Sequence, residues 1–127
     1  MNDLSITASE DAFSYYDPRI CVIGLGHIGI YHAMLFSEKY KTIGYDFDQA
    51  RTDKLMHGHG STSRVSDKLL KQAIRNGLFC TSDVEKIRKF NFYVIIVPPI
   101  CVERNEPDLR ILRDACEIVG KVLSGGD

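Results

Sequence analysis

The sequence lacks a long apolar run, an excess of charge of either sign and any C-x-x-C pair, and each absence removes a class of protein. No apolar stretch in the 127 residues approaches the length needed to span a bilayer. Residues 1–17 are too polar and acidic for a secretory signal, so a cytoplasmic location is expected. A formal net charge of -1 offers nothing to draw the chain onto nucleic acid or an anionic membrane. The cysteines, Cys21, Cys80, Cys101 and Cys116, are widely spaced and read as reduced structural thiols. Only Cys101, in an expected loop, is a candidate for reactivity. His57-Gly58-His59 has no third and fourth ligand close in sequence, so it reads as a solvated loop and no metal site is expected.

What remains is ordinary in bulk: 44% hydrophobic and 26% charged residues, in a length that suits one domain with a real core but is small for a two-substrate enzyme. The informative stretch is Ile20-Cys21-Val22-Ile23-Gly24-Leu25-Gly26-His27-Ile28-Gly29. A short β-branched run leads at once into G-x-G-x-x-G, and helical spacing follows. Gly24 permits a tight turn out of the strand, Gly26 lets the backbone approach a pyrophosphate, and Gly29 lets the helix pack closely on the strand. The amides of His27 and Ile28 then point at an anion, with the helix dipole adding to the attraction. Gly29, Ala33, Phe36 and Tyr40 are expected on the inward face of that helix. Lys41-Thr42-Ile43-Gly44-Tyr45-Asp46 reads as a second strand ending in an acid. Asp46 follows Gly24 by 22 residues, where a dinucleotide-binding fold places the carboxylate for the adenosine ribose diol. The competing reading is a βαβ unit whose glycines serve turns and packing alone.

Residues 1–18, with Phe13, Tyr15 and Tyr16, form a tail or strap, and residues 19–127 the domain. Beyond Asp46, residues 47–56 read as a helix with Leu55 inward, and residues 58–63 as a loop. A second helix carries Val65, Leu69, Leu70, Ala73 and Ile74 and ends at Asn76-Gly77. Residues 78–81 form a short strand. Ser82-Asp83-Val84-Glu85 has the form of a capping box for a helix reaching Phe90. Residues 92–97 are apolar without alternation, as a strand buried on both faces should be, and Pro98-Pro99 stops it. Pro107-Asp108 opens the last helix, with a buried stripe of Ile111, Leu112, Ala115, Ile118, Val119 and Val122, and Gly125-Gly126 closes it. This alternation predicts an α/β fold, a doubly wound parallel sheet of the Rossmann kind with strand order 3-2-1-4. Its ligand crevice lies at the carboxyl ends of strands one and four.

Ile23-Gly24-Leu25-Gly26-His27-Ile28-Gly29 resembles the opening motif of the nucleotide-sugar 6-dehydrogenases, the UDP-glucose/GDP-mannose dehydrogenase family. The likeness continues through Phe36-Ser37-Glu38-Lys39-Tyr40, Gly44-Tyr45-Asp46, residues 67–76 and 92–98, Glu106-Pro107-Asp108-Leu109 and Val119-Gly120-Lys121-Val122-Leu123. It is nearest to the UDP-N-acetylhexosamine branch that feeds surface polysaccharides. Such enzymes oxidise the carbon-6 alcohol of a UDP-sugar to a carboxylate, passing two hydrides to two NAD molecules. The resemblance implies that Gly24, Gly26, His27, Ile28 and Gly29 hold the NAD pyrophosphate, Asp46 the ribose and Arg51 the adenosine side. Val97 and Pro98 would line the approach to the nicotinamide half. The chain departs from the family where His27 replaces a tyrosine, where Gly29-Ile30-Tyr31-His32-Ala33 loses a proline of the first helix, and where Pro99, with neither hydroxyl nor amide proton, replaces a threonine.

The resemblance further implies that a later strand, a long dimer helix and a UDP-sugar domain with cysteine and lysine lie beyond residue 127, so the domain is expected to be truncated. No catalytic residue is assigned, and a UDP-sugar is a partner only if that domain is supplied. The expectation is a weak NAD binder without turnover. Two alternatives are a nucleotide-sensing module and a Rossmann remnant with no ligand. In either case the strand at 92–97 would form a sheet edge, which invites self-association there or through the last helix.

Overall fold

The computed structural model describes residues 17–60, 64–98, 100–102 and 106–127. The expected tail up to residue 16, half of the loop at 58–63 and Pro99 therefore lie outside the described residues. Four parallel strands, β1 (Arg19–Ile23), β2 (Lys41–Tyr45), β3 (Phe79–Thr81) and β4 (Phe92–Ile95), form one sheet in the order β3-β2-β1-β4. The helices are α1 (His27–Ser37), α2 (Gln49–Met56), α3 (Asp67–Arg75) and α4 (Arg110–Val122). A 3-10 turn at Val84–Ile87 leads into β4, and β5 (Ile100–Val102) pairs antiparallel with β6 (Glu106–Asp108) in a separate hairpin.

β1 shows why the sheet is covered on both sides. Ile20 and Val22 point into one core with Leu25, Ile30, Ala33, Leu55, Leu70 and Leu78, while Cys21 and Ile23 point into a second. That second core adds Ile43, Tyr45, Ile87, Phe90, Ala115, Val119 and Val122. α1, α2 and α3 thus cover one face, and the 3-10 turn and α4 the other. Burial pushes the Cys21 and Cys80 thiols up to about 12, so both are inert structural groups at neutral pH.

Several expectations need correction. α1 ends at Ser37, so Tyr40 lies past it and is exposed; the inward face is Gly29, Ile30 and Ala33, with Phe36 partly buried against the same core. Val65 is buried but precedes α3, whose buried residues are Leu70 and Ala73, while Leu69 is 51% exposed. Ser82 caps nothing: Asp83 caps the 3-10 turn through the Glu85 N–H at 3.0 Å, and the Glu85 carboxylate turns to Arg88 instead. A 3-10 turn of four residues is too short for the reciprocal box. β4 is half-buried, and Phe92 at its start is 48% exposed: among the described residues the strand pairs with β1 alone. It also ends at Ile95, although the Ile96 N–H still reaches the Ile23 carbonyl at 2.8 Å.

Pro107 and Asp108 belong to β6, not to a helix start, and α4 begins at Arg110. Proline tolerates this place because a two-stranded hairpin leaves each strand an open edge. Asp108, held down to about 2 by the Arg110 guanidinium and amide, links hairpin to helix. Cys101 likewise sits in β5 rather than in a loop, with its side chain outside the described residues. Leu112 is exposed, and the helix ends at Val122, before Gly125 and Gly126.

The face of α3 can be checked directly. Leu70→Ala should lower the unfolding free energy by about 2–5 kcal/mol in urea titration, whereas Leu69→Ala should change it by under about 0.5 kcal/mol. Equal losses would mean that α3 is rotated relative to this description.

Candidate dinucleotide site

The crevice at the carboxyl ends of β1, β2 and β4 begins with the turn out of β1. Gly24 takes φ +99, and its amide donates to the Tyr45 carbonyl at 2.8 Å. A β-carbon there would run into the Ile96 carbonyl, so the glycine is required by the backbone of the neighbouring connection. A β-carbon at Gly29 would likewise overlap the Gly24 carbonyl. These two glycines let α1 sit on the turn, which is a packing role.

Gly26 differs. A β-carbon there meets nothing within 4 Å, and its φ of -65 is available to any residue. Neither packing nor backbone strain explains the missing side chain. It caps α1 without a side-chain hydrogen bond, and no acidic residue occupies the first turn, so the helix start presents its amides and positive dipole end to open space. That is the arrangement a pyrophosphate needs: a close backbone approach and donors aimed at the anion.

Asp46 closes the other side of the turn. Only 3% exposed, its carboxylate accepts from the Leu25 amide at 2.8 Å and Arg51 Nη1 at 2.9 Å through Oδ2. Oδ1 accepts from the Asp48 amide at 2.9 Å. A buried carboxylate is costly unless donors and a counter-charge surround it, and here both do. Asp46 thus braces the glycine turn before any ligand arrives. The Leu25 side chain, fully buried, completes the brace by packing where a β-carbon on Gly44 would stand. Oδ1 retains lone-pair capacity for a further donor such as a ribose hydroxyl.

All nine residues singled out in the sequence, Gly24, Gly26, His27, Ile28, Gly29, Asp46, Arg51, Val97 and Pro98, line this one crevice of about 900 Å³. His27 and Ile28 are exposed at its mouth. Sequence reasoning missed Phe47, 75% exposed beside Asp46, and the wall supplied by Ile111, Asp114, Ala115 and Ile118 of α4. The 111, 114, 115, 118 spacing was the available signal for that wall. No group of three metal-ligating side chains occurs among the described residues.

Such a sheet, with an open helix start at its switch point and a braced acid at the end of β2, defines a dinucleotide-binding domain of the Rossmann type. Comparison with known proteins narrows the class. Residues 18–127 match the NAD-binding-domain model of the UDP-glucose/GDP-mannose dehydrogenase family, and the chain belongs to that family. It is 36% identical over 111 residues to UDP-N-acetyl-D-glucosamine 6-dehydrogenase of Pseudomonas aeruginosa, covering 87% of this chain and 26% of that protein. Protein CapL of Staphylococcus aureus is 36% identical over 106 residues, covering 84% and 24%. The solved structure of a UDP-D-ManNAc dehydrogenase from Pyrococcus horikoshii superposes with a TM-score of 0.79 at 31% identity, over 85% of this chain and 26% of that one. The chain therefore spans about a quarter of the length of these relatives.

The two kinds of glycine make opposite predictions for stability. Gly29→Ala should cost about 1–3 kcal/mol or more in thermal or urea unfolding, because a backbone carbonyl must move. Gly26→Ala should stay within about 1 kcal/mol of the parent. A severe loss in Gly26→Ala would show a packing role that the geometry does not contain.

Proposed function

We propose that this chain is the cofactor half of a nucleotide-sugar 6-dehydrogenase and that it binds NAD in the crevice above β1 and β4. The observation that carries this reading is Gly26, a glycine with no internal reason to be one, standing at an uncapped helix start. Gly24, Gly26, Gly29 and the amides of His27 and Ile28 hold the pyrophosphate. Asp46 takes the ribose diol, Arg51 flanks the adenosine, and Val97 and Pro98 border the nicotinamide half. When bound, NAD supplies a hydride acceptor. The reaction served is oxidation of the carbon-6 alcohol of a UDP-N-acetylhexosamine or UDP-hexose. Support for that substrate class comes from relatives named as UDP-N-acetyl-D-glucosamine 6-dehydrogenases. We assign no catalytic residue to the described crevice, and the reading is that this chain by itself binds NAD weakly and without turnover.

A ligand-free Rossmann unit is the second reading, favoured by one observation: the Asp46 carboxylate is already engaged by three internal donors. Asp46→Ala cannot separate the two, because it also strips the buried Leu25 amide of its acceptor, at about 1–3 kcal/mol. Gly26→Ala separates them. Calorimetric titration should give saturable NAD binding to the parent chain and at least about tenfold weaker binding to Gly26→Ala, with the fold intact. NADP should bind at least about tenfold more weakly than NAD, since the 2′-phosphate meets the Asp46 carboxylate. No heat from NAD with folded protein would establish the ligand-free reading.

The same proposal extends to assembly. Among the described residues β4 pairs with β1 alone and begins with an exposed Phe92, and the proposal is that a second copy of this chain pairs along its other edge. Sedimentation should show association rising with concentration and suppressed by Phe92→Lys. A monomer at high concentration would refute this contact.

A further inference from the structure

Of the four histidines in the chain, three have a partner for the ring. His32 Nδ1 lies 2.9 Å from the Ile28 carbonyl, His57 Nδ1 2.6 Å from the Asp53 carbonyl, and His59 Nδ1 3.6 Å from the Asp67 carboxylate. Among the described residues no hydrogen bond, ion pair or ring contact engages the ring of His27. His27 is also the first residue of α1, directly after Gly26, and it lines the crevice from an exposed position. Because the Cα–Cβ bonds of a helix tilt toward its N-terminus, a ring at this position overhangs the same helix start that its own amide faces.

The charged side chains that line the crevice with it are Asp46 at the end of β2, Arg51 on α2 and Asp114 on α4, and the β4 side brings none. Arg51 is bonded to Asp46, and neither carboxylate forms an ion pair with His27. Tyr45, the other titratable group of the crevice, has its hydroxyl pushed up by burial, away from neutral pH. Tyr31 and His32 follow on α1 itself. With two carboxylates against one guanidinium, negative charge is in excess where a diphosphate would add more. The helix dipole offsets part of that excess. A cation beside the diphosphate offsets more, and a protonated imidazole is one.

We propose that the His27 imidazole donates a hydrogen bond to the diphosphate of the bound dinucleotide, most strongly when protonated, so that cofactor binding takes up protons and tightens as pH falls. The assignment rests on the dinucleotide reading above, and adds a side-chain contact to the one made by the His27 amide. The sign follows from linkage: a ligand that prefers the protonated ring binds more tightly below the range, about pH 5 to 8, in which histidine loses its charge. Ordinary carboxylates and guanidinium groups keep their charge over most of that range.

The test is calorimetric titration of the full chain with NAD at about pH 6 and about pH 8.5, repeated on His27→Gln, His27→Ala and, as a control, His32→Gln. His27 is exposed, so its variants should fold, and a thermal melt checks that. The parent should bind at least about threefold more tightly at the lower pH, with proton uptake read as a dependence of the heat on the buffer. His27→Gln, which can donate without charge, and His27→Ala, which cannot donate, should each bind NAD with nearly the same affinity at both pH values. His32→Gln should keep the dependence of the parent. No pH dependence in the parent, or an undiminished one in His27→Gln and His27→Ala, overturns the assignment while leaving NAD binding intact. Failure of the folded parent to bind NAD at either pH overturns the dinucleotide reading and this assignment together.

Discussion

The crevice depends on one short hydrogen bond, from the Leu25 amide to the Asp46 carboxylate at 2.8 Å. It fixes the glycine turn to the end of β2, and the rest of the site takes its position from that join. The Gly24 amide on the Tyr45 carbonyl and the Leu25 side chain packed over Gly44 reinforce the same contact. A turn made of small residues would otherwise be the loosest part of the sheet. Here it is bonded on one side to β2 and pressed on the other against the Ile96 carbonyl. α1 consequently starts at a defined place, with its amides directed into the crevice.

That brace changes how the acid at the end of β2 should be understood. Its charge is compensated by Arg51 and by two backbone amides before a ligand is present, so the residue is a scaffold for the turn, to which the proposed function adds a ribose contact. Preorganisation of this kind lowers the entropy lost on binding. The division of labour among the glycines follows from the same geometry: Gly24 and Gly29 are fixed by what surrounds them, and Gly26 by what does not.

The fold was readable because its signals are local and repeated. Ile20, Cys21, Val22 and Ile23 are apolar on both faces of the strand, which a sheet covered by helices on both sides demands, and G-x-G-x-x-G sets strand against helix. The errors have physical causes too. Pro107-Asp108 is an equally good helix start or hairpin edge by sequence, and pairing with β5 decided the matter. Ser82 and Asp83 both qualify as caps, and the choice depended on how tightly the chain turns toward β4. Leu69, Leu112 and Tyr40 fit helical stripes but face solvent, because a period cannot tell which apolar residues find a partner.

By itself the sequence determined the strand order, the glycine turn and the nine residues that gather at one crevice, since each is a matter of spacing along the chain. Tertiary structure alone decided that Asp46 is engaged from within, that Gly26 faces open space, and that α4 supplies a second wall carrying Asp114. Those facts depend on which segments meet across the sheet. Contacts between residues far apart in the chain are set by packing and by the satisfaction of buried polar groups, which no local pattern records.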